Sequence, residues 1–455
     1  MLMAPRRTDI DMSPPDPVPS DDFGAEPGEI QRRAPFSDNP RVGARGQRTQ
    51  QRILDAALRV FDDEGYQNAS IDRITKRAGC SRVSFYQYFS SKEDVFRYLA
   101  GQVARQLTAS TDALDPITAD LAGWTSLRAW VDRYADIYDR YQPLFQAFQA
   151  ALQNDQQVAS GSARWSERIT SRIRSSLAAP TLPPRQLDPV ILLLQECLTR
   201  TLETAAILNS VAPGGYPRGR VEDALTDVMH RSFFGVMTSV NVHAPSGERP
   251  PPIAFAPDMQ QLLAEPDSRF DVDAAGRGAL AALLRSGRSV FVTRGYHATR
   301  VDDLAEAAGV SHGAFYRYFR NKDDLARVLT VHAIRTVSQA LVAIPQPLAT
   351  DGPTANAALR RWLRRYNMAQ SGEAAMIRVW VDAALQDASL RGDSAAAFDW
   401  GWRRMARTLE PRGFGDVDSE AVVMVSLLSA FGSRERSATQ IEAAARIIEG
   451  GLLGR

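Results

Sequence analysis

The sequence predicts an all-α protein in which one two-part helical unit occurs twice. Three observations carry that expectation. Apolar residues recur at helical spacing with no sustained period-two alternation. A block of thirty-six residues, 61–96, returns without a gap 230 positions later, with thirteen identities. Pro-rich stretches without apolar periodicity stand before the first copy and between the two. A length of 455 residues accommodates several domains, each with its own core.

Taken in order, residues 1–46 read as a disordered tail, with eight prolines in the first forty positions. The tail leads into a basic arm (Arg41, Arg45, Arg48, Arg52) that suits a minor groove or a phosphate as well as it suits a solvated linker. Residues 47–107 form the first three-helix head. Ile53, Ala57, Leu58 and Phe61 share one helix face, and Gly65 supplies a left-handed stop. A short helix, Ile71 to Ala78, ends at Gly79; Ser81 then caps a second helix whose Phe85 and Phe89 point to the core. Positions 82, 83, 86 and 87 are left facing outward. Residues 108–242 read as a helical body, with helices at Ser126–Gln153, Pro189–Asn209 and Val221–Val240. Residues 243–273 carry six prolines and read as an extended linker with one short turn at Met259–Ala264. Residues 274–337 repeat the head, with Val301 to Ala308, Gly309, Ser311, Phe315 and Phe319 in the equivalent places. Residues 338–455 repeat the body, where Leu359 to Tyr366 parallels Leu127 to Tyr134, and end in helices at Val417–Phe431 and Gln440–Leu453.

Composition narrows the function classes. With 44% hydrophobic and 24% charged residues the chain is of ordinary globular type, and no apolar run approaches the ~20 residues of a membrane span. The N-terminus lacks the basic-then-apolar order of a secretory signal, so export is not expected. Two cysteines and five histidines at unrelated spacings predict neither a disulfide framework nor a metal site, and no cofactor is expected. Residues 41–98 and 274–330 each carry a net +4, which leaves −7 for the remainder of a chain whose total is +1. Two basic segments on an acidic chain fit two places where a polyanion is held, and equally a modest fluctuation of charge.

Each basic segment contains a helix, a tight Gly-containing turn and a short second helix, which is a helix-turn-helix able to place its second helix in the major groove of DNA. The strings Asp72 to Lys92 and Asp302 to Lys322 resemble the DNA-binding signature of TetR-family transcriptional regulators. The resemblance covers about sixty residues twice, roughly 47–107 and 277–337. It implies a three-helix head on a regulatory body of about six helices, a two-fold dimer through the last two body helices, and a small ligand that releases the protein from its operator. It places phosphate contacts at Ser70, Tyr88 and Lys92 in the first copy and at Arg300, Tyr318 and Lys322 in the second. Base-reading positions fall on Arg82, Val83 and Tyr86, and on His312, Gly313 and Tyr316. Tyr86 and Tyr316 also suit partial packing on the first helix of each head. Arg300 departs from the Ser or Thr usual there, which weakens the cap and keeps a phosphate-seeking charge.

All seven tryptophans lie outside the heads. Trp130, Tyr134, Tyr138, Tyr141, Phe145 and Phe148 recur at about helical spacing, as core packing does and as the wall of an apolar pocket also does. Trp130, Tyr134, Tyr138 and Phe148, with Trp362, Tyr366 and Trp380, are the candidate pocket residues for a small apolar effector. No carboxylate pair, nucleophile constellation or phosphate loop is present, so no enzyme is expected; an enzyme with vestigial heads is the remote alternative. The expected protein is a ligand-responsive repressor, cytoplasmic and at the bacterial nucleoid when DNA-bound, whose partner is double-stranded DNA. Its two helix pairs would close an intramolecular pseudo-dimer, open to further dimerisation, on an operator with two different half-sites. A sensor with one DNA-binding head, the other serving as a dimerisation platform, is the rival.

Overall fold

A computed structural model describes residues 44–66, 68–236, 249–264, 274–296, 299–346, 348, 352–384 and 388–455. The expected tail up to residue 43 and the parts of the linker at 243–248 and 265–273 lie outside the described residues.

The first unit runs α1 (Ala44–Glu64), α2 (Ile71–Ala78), α3 (Arg82–Tyr86), α4 (Lys92–Asp112), α5 (Leu121–Asn154), α6 (Gln156–Ser176), α7 (Pro184–Val211) and α8 (Arg218–Phe234). The second runs α9 (Pro257–Ala264), α10 (Ala274–Arg294), α11 (Val301–Ala308), α12 (His312–Phe315), α13 (Lys322–Val342), α14 (Pro353–Ala384), α15 (Ala388–Leu409), α16 (Val417–Gly432) and α17 (Ala438–Arg446), which continues as a π-helical turn, Ile447–Leu452. Among the described residues the only β pairing is a single bridge between Ile117 and Leu177.

Local chemistry accounts for the main breaks. Gly65 has φ 73° and donates its N–H to the Phe61 carbonyl at 3.0 Å, which closes α1. Pro143 has no N–H to offer inside α5, and the helix kinks at Tyr141 (φ −117°, ψ 22°). α8 ends at Phe234, where Gly235 at φ 79° stops the helix; the expected end at Val240 lies outside the described residues. Among the described residues each body holds four α-helices beyond the long α4 or α13, fewer than the resemblance implies.

The linker is less extended than its prolines suggest. α9 packs against α13 with Met259 fully buried, and the Ile253 and Ala256 N–H groups donate to Asp399 and Asp393 at 3.2 and 2.8 Å. Met259 belongs to the core of the second head, with Leu283, Phe291, Phe315 and Phe319.

The two units meet through their last helices. α7 lies on α16, α8 on the π-helical turn, and α8 and α17 pack crosswise on α16 and α7. A single apolar cluster therefore runs from the first head, through Trp130 and Cys197, to Trp402, Val423 and Ile448 of the second body. At its centre Ser426 Oγ donates to Thr204 Oγ1 at 3.1 Å. Glu420 is fully buried between two arginines, Arg231 from the other unit and Arg412, each at 2.5 Å. Arg231 also donates Nε–H to the Gly451 carbonyl at 2.7 Å. Gly451 is needed there, since a Cβ would reach Ser232 Oγ and lie 2.7 Å from the Val228 carbonyl oxygen. Around this centre Glu196 pairs with Arg434 and Arg436, and Arg220 with Asp416 at 2.7 Å.

Candidate nucleic-acid interface

In the first head, Ser70 caps α2, accepting from Arg73 N–H at 3.4 Å, and α2 ends at Gly79 in the left-handed region (φ 62°). Ser81 then caps α3, accepting from Ser84 N–H at 3.1 Å. The second head repeats this: Gly309 has φ 67° and Ser311 accepts from Ala314 N–H at 3.1 Å. Arg300 makes no side-chain cap, but Asp303 reaches back to its N–H at 2.8 Å, so half of a capping box replaces the missing hydroxyl. Phe85 and Phe89, and Phe315 and Phe319, anchor the short helices in the core with ring centroids 6.0 and 5.7 Å apart.

That anchoring fixes which residues face outward. Val83 is 73% exposed, Tyr86 52% and Tyr316 49%, and each of the two tyrosine rings stands edge-on to the neighbouring phenylalanine. Arg82, Gln87, His312 and Gly313 are exposed as well, and a Cβ on Gly313 would meet nothing within 4 Å. The outward edge thus differs between heads in residues and agrees in geometry. α12 is one turn long, against five residues in α3.

The expected phosphate positions divide. Ser70 is half-buried and Arg300 exposed at the start of α2 and α11. Tyr88 is only 8% exposed, and Tyr318 is half-buried. Lys92 donates Nζ–H to the Tyr66 carbonyl at 2.9 Å and lies over that ring at 4.7 Å from its centroid; Lys322 does the same with Tyr296 at 3.0 and 4.7 Å. Burial pulls both ammonium groups below their ordinary value. Each lysine therefore ties the start of the following helix to the turn that closes the first one.

Residues 45 and 52 of the basic arm fall on α1, since the helix begins at Ala44. With Gly46, Thr49, Gly79, Cys80, Ser81, Ser84 and Tyr88 they line a surface cleft of about 450 Å³ beside the recognition helix. Sequence reasoning missed two acidic residues that the structure places here. Asp72 receives Nε–H and Nη2–H of Arg82, and Asp302 pairs with Nδ1 of His312. Their only signal in the sequence is the recurrence of aspartate at the same offset.

The candidate pocket aromatics are interior. Trp130, Tyr134, Tyr138, Trp362, Tyr366 and Trp380 are buried and Phe148 is partly buried against the core. Trp130 donates Nε1–H to Thr111 at 3.0 Å, Trp362 to the Ala340 carbonyl at 2.8 Å, and Tyr134 shares a hydrogen bond with Thr199 at 2.6 Å. Among the described residues no group of three His, Cys, Asp or Glu could hold a metal, and no helix is long and apolar enough to cross a membrane.

Two capped helix-turn-helix heads with outward recognition edges define a DNA-binding protein of the helical regulator class. The model of the family "Bacterial regulatory proteins, tetR family" matches twice, at residues 53–99 and 283–329. The chain is similar to the HTH-type transcriptional regulator EthR of Mycobacterium tuberculosis, 29% identical over 194 residues covering 40% of this chain and 86% of EthR. It is also similar to the HTH-type transcriptional regulator SrpR of Pseudomonas putida, 39% identical over 57 residues covering 12% of this chain and 27% of SrpR. Among solved structures, the Flavonoid-responsive Regulator FrrA aligns with 26% identity and a TM-score of 0.28, covering 39% of this chain and 94% of FrrA. The chain is a TetR-family DNA-binding transcriptional regulator with two tandem units.

Proposed function

We propose that the protein is a ligand-responsive repressor that acts as an intramolecular pseudo-dimer on an operator without palindromy. The observation that carries this reading is the pairing of two unlike recognition edges, Arg82-Val83-Tyr86 and His312-Gly313-Tyr316, on units whose last helices pack together within one chain. A symmetric operator suits two identical edges; two different edges suit two different half-sites. In this reading Arg82, Val83, Tyr86, His312, Gly313 and Tyr316 face base edges, while Ser70, Tyr88, Lys92, Arg300, Tyr318 and Lys322 position the backbone. The working division of the chain is a head at 47–107 and a body at 108–242, then a linker at 243–273, a head at 274–337 and a body at 338–455.

An apolar effector entering beside Trp130, Tyr134 and Tyr138 has to part rings that are packed at 5.9 Å between Trp130 and Tyr134, which would couple its binding to the shape of the body. Such an effector should lower operator affinity by the same factor by which operator lowers effector affinity. The test of the whole reading is a footprint of the purified chain on its own upstream region, with light scattering of the free and bound protein. One chain protecting two dissimilar half-sites is the expected result. Two chains on a perfect inverted repeat would refute it. The one-headed rival draws on the single turn of α12, and it predicts a footprint of one half-site.

A further inference from the structure

We infer that Asp72 and Asp302 are positioning residues that set which base each head prefers, by holding the first residue of the recognition helix with one edge turned toward DNA. The inference rests on the reading of Arg82 and His312 as base-facing and deepens it.

The two aspartates occupy the same place in the two heads, in the first turn of α2 and of α11. Each reaches across the turn to the first residue of the next helix, ten positions on, although that residue is arginine in one head and histidine in the other. The contact has survived a change of partner. Stability gives little reason for it, since the aspartate side chains are 63% and 78% exposed and solvent screens an exposed ion pair. Electrostatics gives a reason against it, because a carboxylate at the edge of a phosphate-binding face repels the polyanion. A residue retained there in both heads needs a role in recognition.

The atoms supply one. Asp72 occupies Nε–H and one hydrogen of Nη2 on Arg82, and Nη1 has no protein partner among the described residues. The remaining edge, Nη1 with the outer hydrogen of Nη2, offers two parallel donors. Guanine presents two acceptors, O6 and N7, in the major groove; adenine presents one acceptor and one donor and does not match. Pinning the guanidinium also removes the rotamer freedom that an exposed arginine otherwise loses on binding. The second head works from the opposite polarity. A carboxylate can only accept, so Asp302 takes the proton-bearing Nδ1 of His312, and in the tautomer protonated there Nε2 is the acceptor left to face outward. That edge suits the exocyclic amino group of cytosine or adenine. One half-site should therefore carry a guanine fixed by Arg82, the other an amino-bearing base opposite His312.

The test is selection by the full chain from a pool of randomised duplex DNA at about pH 8. The selected preferences are then measured for Asp72→Asn, Arg82→Ala, the double variant, Asp302→Asn and His312→Ala. Arg82→Ala should abolish a guanine preference at one position, and Asp72→Asn should reduce it at least about fivefold, the lower end of what a bidentate contact discriminates. Affinity of Asp72→Asn for unselected duplex should stay level or rise, since a negative charge has gone. In the Arg82→Ala background Asp72→Asn should change no base preference. Arg82→Lys, which keeps the charge and the fold but not the fork, should lose the preference as well. A full guanine preference in a folded Asp72→Asn protein overturns the proposal while leaving Arg82 as a base contact. A guanine preference that survives Arg82→Ala overturns the base-reading assignment itself, and this proposal with it. For the second head, Asp302→Asn should weaken the amino-base preference that His312→Ala abolishes; an unchanged preference overturns that half.

Discussion

Replacing Glu420 by alanine should separate the two units energetically. The carboxylate is fully buried and shared by Arg231 and Arg412, both buried, at 2.5 Å each. Burial pushes the acid up from its ordinary value while the two guanidinium groups pull it down. Without it Arg231 keeps the Gly451 carbonyl and Arg412 the Leu452 carbonyl, but two buried cations face each other without the anion they shared. Deleting one partner of such a group costs about 3–5 kcal/mol, a large share of the ~5–15 kcal/mol that holds a typical fold. Glu420→Gln, which keeps the volume, should lose a comparable amount. The exposed Arg174–Asp188 pair, at 43% and 44% exposure, is the control, and its loss should cost about 0–1 kcal/mol. Urea unfolding followed by tryptophan fluorescence reads the difference as a midpoint lowered by roughly 1 M or more, at urea slopes of about 1–3 kcal/mol/M. A Glu420→Ala protein within about 1 kcal/mol of the parent would refute the claim that the ion triad ties the units together.

Other perturbations test other parts of the molecule. Lys92→Ala should cost the first head about 1.5–3 kcal/mol, the worth of a charged hydrogen bond, and lower the salt slope of DNA binding by about one unit; a stability loss with an unchanged slope would take Lys92 off the phosphate contacts. Gly79→Ala meets open space, so its cost should be the conformational penalty alone, about 1–2 kcal/mol, measured by thermal unfolding of the full chain. His230 is buried and donates Nε2–H to the Thr118 carbonyl at 2.9 Å, and burial holds its pKa below the ordinary 6.5. The unfolded chain then binds the extra proton first, so stability should fall as pH drops from about 6.5 toward the lower folded value. His230→Gln should flatten that part of the profile, and an unaltered profile would show that another group titrates.

The heads were legible in the sequence because their determinants are local. Gly79 and Gly309, Ser81 and Ser311, and the phenylalanine pairs act within a few residues of themselves, and the structure has them in the expected conformations. What escaped were contacts whose partners are remote. Periodicity shows that α7 and α16 each have an apolar face, but nothing in it pairs Cys197 with Val423 or Glu196 with Arg436. The linker misled because its prolines outweigh the few apolar residues, Phe255, Met259 and Leu262, that dock it on the second head. The expected α8 ran past Gly235, although that glycine already carried the stop. Asp72 and Arg82 were each visible, yet their contact spans a turn whose geometry has to be known before the two can be joined.

The arginine opposite a glycine where α8 crosses the end of the chain bears on which units can pair. Two first units brought together in the same way would set Arg231 against Arg231, without the Gly451 carbonyl or Glu420 to receive either. Two second units would set Gly451 against Gly451 and leave a void where the guanidinium now lies. The packing around Arg231 therefore suits one unit of each kind better than two alike. Carried on one chain, the two unlike heads are always made in a one-to-one ratio.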